Sequence, residues 1–143
     1  MEIWRIAHLW VLGMWAGLVA GESVMEILAR RDEAFAAFAA RLHLWIDVFV
    51  EVPLLLAVVA TGYFLLRETP ITALLGVKIA FGLFAVGVNL WCTGVVVRRQ
   101  RVAAGAGAAV MRAESDRIFL AIKLGLPAAL IALYLGLRLA HGP

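Results

Sequence analysis

The chain is poor in what a secreted or redox-active soluble domain uses. One cysteine, Cys92, stands among 143 residues. An internal disulfide, a Cys-x-x-Cys pair and a thiolate metal cage are therefore excluded. Charge is also scarce, at 16% Asp, Glu, Lys and Arg. No polar stretch is long enough to make a separate soluble domain. What fills the chain instead is hydrocarbon: 64% of residues are hydrophobic and the mean hydropathy is +0.96. Soluble domains carry about 45–50% apolar residues, so the excess calls for a bilayer.

Four apolar runs, near 3–28, 42–66, 72–97 and 116–140, have the length of membrane spans. They predict an all-α fold, an integral membrane antiparallel four-helix bundle forming one domain over 1–143. The first run is too long for a signal-peptide core, with only Arg5 ahead of it, and is read as a retained span. Asp32 is placed to cap the second helix, which starts in the Ala-rich stretch 34–40. Residues 102–113 read as a cytoplasmic helical extension broken near Gly105 and Gly107.

The basic residues cluster at span ends. Arg30, Arg31 and Arg41 follow the first span, and Arg98, Arg99, Arg101, Arg112 and Arg117 follow the third. The other side holds Arg5, Arg67 and Arg138. The positive-inside rule then predicts a multi-pass protein of a bacterial-type inner membrane with both termini outside the cytoplasm. The net charge of +3 serves lipid and orientation. Basic residues are not interleaved with aromatic ones, so nucleic acid is not an expected partner. The expected partners are the bilayer and a second copy or a membrane complex.

Ionisable residues inside a span cost about 2.5–3.5 kcal/mol each on the insertion scale and usually face the bundle interior. Here they are His8, Glu22, Glu26, His43, Asp47, Glu51, Lys78 and Lys123, with Asn89. His43, Asp47 and Glu51 stand at i, i+4 and i+8, which is one helical stripe. Glu22 and Glu26 repeat the four-residue step. Antiparallel packing brings Glu22, Asp47, Asn89 and Lys123 to similar depth, with Glu26 and His43 one turn further in and His8 and Lys78 in the outer half. Pro53 and Pro127 release the carbonyls of Phe49 and Lys123 beside the inner layer.

Carboxylates and a histidine from adjacent helices are the donor types of a bundle-core metal site. Glu22, Glu26, His43, Asp47 and Glu51 are thus candidate ligands for a divalent transition metal ion, with Asn89 as a secondary one. The Glu-x-x-His pattern of di-iron bundles is absent. Two alternatives stand beside this reading. One is a proton-binding site. The other is a cofactor-free assembly subunit in which Lys123 neutralises Asp47 or Glu22.

The stretch His8-Leu9-Trp10-Val11-Leu12-Gly13-Met14-Trp15-Ala16-Gly17-Leu18 resembles the first span of the HemJ-type protoporphyrinogen oxidases. Lys78, in Gly76-Val77-Lys78-Ile79, resembles that family's third-span lysine. The CopD-type copper-resistance membrane domains share the His…Trp-x-Gly theme. The likeness covers the first span and part of the third. It implies a membrane-embedded redox protein with haem b held by His8, Trp15 as a wall of the cofactor site, and Lys78 as the catalytic residue of an oxidoreductase. The expected function is therefore haem-based porphyrin oxidation or electron transfer, and the alternative is metal ion transport or handling.

Overall fold

A computed structural model describes residues 2–102 and 108–141. The expected break near Gly105 and Gly107 lies outside the described residues. Helix α1 spans Glu2–Ala29, α2 Glu33–Ile46, α3 Val52–Arg67, α4 Ala73–Val102 and α5 Ala108–His141. A π-helical turn at Asp47–Glu51 joins α2 to α3, so the two act as one long rod. Four helical rods result, each long and apolar enough to cross a membrane. The protein is an all-α four-helix bundle of the multi-pass membrane type. The fourth helix begins earlier than its apolar run, at Ala108, because Glu114, Asp116 and Arg117 are paired on its first turns rather than shed into a loop.

Local chemistry sets the joints. The Asp32 carboxylate accepts from the Ala34 and Phe35 N–H groups at 2.9 and 3.3 Å, which caps α2 as the sequence predicts. Asp32→Ala should cost about 0.5–2 kcal/mol and speed hydrogen exchange at the Ala34 and Phe35 amides. Exchange confined to its wild-type rate there would show that the cap does not hold the helix start.

Pro53 explains the π turn. It brings no N–H, so a regular α-helix would orphan the Phe49 carbonyl. The chain instead closes a wider loop, with the Val52 N–H donating to the Asp47 carbonyl five residues back. This also aims side chains. Two α-helical steps of four would swing Glu51 about 80° from His43. A π turn holds more residues per turn and takes back part of that drift.

Packing is pairwise. Helices α4 and α5 run together, and Gly125 allows a close approach: a Cβ there would stand 3.3 Å from Val88 Cγ1. Helix α1 lies against α3, where Gly62 leaves room for His8, with 3.3 Å from a Cβ to the ring. Trp15, Leu55, Ala85 and Ala128 form one core cluster, and Val95, Val96 and Ile118 another. At the end where α1 and α4 finish and α5 starts, Arg30 binds Asp116 at 2.6 Å and covers the Phe119 ring at 3.9 Å. Glu114 there takes Arg98 at 2.5 Å and Arg117 at 2.9 Å. The outward faces are apolar, with Trp10, Leu56, Leu83 and Leu130 all exposed, as hydrocarbon contact requires.

Candidate metal centre

The inner polar stripes do converge. Glu22 and Glu26 of α1, His43 of α2, Asp47 and Glu51 of the π turn and Arg99 of α4 are all buried, Asp47 fully, at 0% exposure. Asn89 of α4 is half-buried beside them.

Their hydrogen bonds divide the group in two. On one side Arg99 grips Glu26 in a fork, NH2 to Oε1 at 2.7 Å and NH1 to Oε2 at 2.9 Å. His43 Nδ1–H donates to the same Glu26 Oε1 at 2.6 Å. With Nδ1–H so engaged, a neutral ring carries its lone pair on Nε2. On the other side Glu51 Oε1 accepts from Asn89 Nδ2 at 2.7 Å and from Trp15 Nε1 at 3.1 Å.

Between these two, His43 Nε2 faces Asp47 Oδ1 at 3.3 Å and Glu22 Oε2 at 3.9 Å. Among the described residues neither Asp47 oxygen has a hydrogen-bond partner, and Glu22 Oε1 has none either. The 3.3 Å approach is thus not a hydrogen bond. Its geometry suits ligands sharing an ion: two donors on a tetrahedral metal at about 2.0–2.1 Å stand about 3.3–3.4 Å apart. Glu22, His43 and Asp47 each offer a ligand atom, all within 4.8 Å of one another.

Charge points the same way. Glu26 is cancelled by Arg99, and Glu51 is stabilised by two donors. Glu22 and Asp47 face the His43 ring, and two carboxylates beside a neutral imidazole match one divalent ion. The Glu26–His43 bond is the outer carboxylate–histidine contact that orients metal-binding imidazoles. A buried His/Glu/Asp cluster suited to a metal ion therefore sits inside a membrane-type bundle. The cluster fits the metal reading better than a haem.

Other sequence expectations fall differently. Lys123 does not join the inner layer. It is exposed on α5, and no ion pair links it to Asp47 or Glu22 among the described residues. The buried seam of α5 is Ile118, Ala121, Gly125 and Ala128, and Lys123 lies off that face. The cation inside the cluster is Arg99, which the sequence placed at a span end. His8 is half-buried between α1 and α3, its Nδ1–H donating to Thr61 Oγ1 at 2.8 Å. Lys78 lies over Gly136, its Cε 2.8 Å from where a Cβ would be. Trp15 is in the core beside Leu55 and bonded to Glu51. Cys92 is a free, half-buried thiol.

A cavity of about 200 Å³ adjoins the cluster, with Glu22, His43, Glu51 and Asn89 among its lining. Trp15 lines it too, whereas His8 and Lys78 do not.

No protein-family model matches the chain, and neither a curated protein nor a solved structure does.

Proposed function

We propose that this protein holds a divalent transition-metal ion inside its membrane bundle and serves in metal ion transport or handling. The observation that carries the reading is Asp47: a fully buried carboxylate whose oxygens have no hydrogen-bond partner among the described residues, 3.3 Å from His43 Nε2. An uncompensated carboxylate in a bundle core is costly, and an ion removes that cost. Glu22, His43 Nε2 and Asp47 are the ligands, with Glu51 and Asn89 beside them and Glu26 and Arg99 orienting the histidine. One nitrogen and carboxylate oxygens, with no thiolate, favour Zn²⁺, Fe²⁺ or Mn²⁺ over Cu⁺.

Elemental analysis of protein purified without chelator should find about one such ion per chain, lost in His43→Ala. Adding the ion to stripped protein should raise its melting temperature. Protein without bound metal, and indifferent to added metal, would overturn the reading. A Soret band that disappears in His8→Ala would replace it with the haem reading that the HemJ-type resemblance implies.

A further inference from the structure

The cavity of about 200 Å³ lies between α1, α4 and α5. Its walls are almost wholly apolar, with the small residues Ala85, Gly125 and Ala129 set among leucine, isoleucine and valine side chains. Its mouth is on α1. Gly13 and Ala16 line the cavity and are themselves exposed, and a Cβ on Gly13 would meet nothing within 4 Å. Both residues sit near the middle of Glu2–Ala29, flanked by exposed Leu9 and Met14. The opening thus faces hydrocarbon and not water.

The floor is polar. Glu22 is nine residues beyond Gly13, about 13 Å along the helix. There the cavity meets Glu22, His43, Glu51 and Asn89, and the Asn89 Oδ1 has no partner. Two of those groups, Glu22 and His43, are proposed metal ligands. Three protein ligands leave a fourth position on a tetrahedral ion, as catalytic sites do and closed structural sites do not.

We infer that this cleft admits from the bilayer a neutral, lipid-soluble hydroxy compound with a ring-sized head, whose oxygen reaches the ion's open position. The second half of this rests on the metal reading proposed above. Size fits, since a cavity of about 150 Å³ already takes benzene. Neutrality follows from the route through hydrocarbon and from carboxylates already crowding the floor. The hydroxyl follows from the floor, where an unpaired acceptor and an open metal position both want an O–H or its oxygen. An apolar body with a few convergent polar groups is the usual build of a small-molecule site.

The test uses full-length protein in lipid nanodiscs, with 4-fluorophenol as probe and ¹⁹F NMR as readout against empty nanodiscs. Metal-stripped protein should show saturable binding, weakened at least tenfold in Gly13→Phe and in Ala16→Phe. Both substitutions are on an exposed surface, and circular dichroism checks that each variant keeps its helices. Fluorobenzene, lacking the hydroxyl, should bind at least tenfold more weakly than the phenol. Loading with Mn²⁺ should broaden the bound probe's resonance, and not in His43→Ala. Absent binding, or binding indifferent to both mouth variants, overturns the cleft. Equal binding of fluorobenzene shows an acyl-chain slot and overturns the hydroxyl recognition. Mn²⁺ that binds without broadening the probe overturns the contact with the ion. Protein that takes up no Mn²⁺ overturns the metal reading and the contact with it, while the stripped-protein measurement still decides the cleft.

Discussion

Arg99→Met should lower stability by about 3–5 kcal/mol, the range for removing one partner of a buried ion pair. Arg99 and Glu26 are 3% and 1% exposed, and the guanidinium holds both carboxylate oxygens in a fork. Without it Glu26 is left in hydrocarbon with a single donor, His43. Adding Glu26→Leu should recover more than half of the loss, because the pair replaced together leaves no lone charge. The double variant should still bind metal about 10–100-fold more weakly, since His43 loses the carboxylate that orients it. Unfolding in mixed micelles gives the first number and metal titration the second. A single variant within about 1 kcal/mol of wild type would mean that Glu26 does not depend on Arg99.

Asp47→Asn should act with opposite signs in the absence and presence of metal. In stripped protein the wild-type carboxylate is buried with no partner. A neutral amide of the same shape should stabilise the fold by about 1–2 kcal/mol. With metal at a hundred times its dissociation constant, wild type should gain about 2.7 kcal/mol and the variant far less. The order of the two melting temperatures should therefore invert when metal is added. Asp47→Asn that is destabilising in stripped protein would show that the carboxylate has a partner within the chain.

The bundle was legible because its signals are long. Four apolar runs, basic span ends and the Asp32 cap each depend only on neighbours in the chain. The stripe of His43, Asp47 and Glu51 was legible too, since a four-residue step is a face in any helix. Arg99 was not, because it sits in a run with Arg98 and Arg101 and looks like a lipid-facing stop. Its face gives it away: it follows Cys92 by seven residues and the buried Val96 by three, along the inward side of α4. Lys123 misled for the converse reason. Depth alone put it with the acids, while the small residues Ala121, Gly125 and Ala128 mark a different face as the seam. The π turn had one trace in the sequence, Pro53, which says that a hydrogen bond must be rerouted but not how. The cavity had none, since most of its lining comes from three helices far apart in the sequence.

The Glu26–Arg99 fork also joins the two halves of the chain, seventy-three positions apart. Glu22, Glu26, Asp47 and Glu51 all belong to the first hairpin, and their cation belongs to the second. Synthesis from the N-terminus therefore delivers four acids to the bilayer before the arginine that steadies them exists. Helices form first and associate afterwards in membranes. The fork that neutralises Glu26 therefore closes only once α4 is in place, so the first hairpin depends on the second for its charge balance.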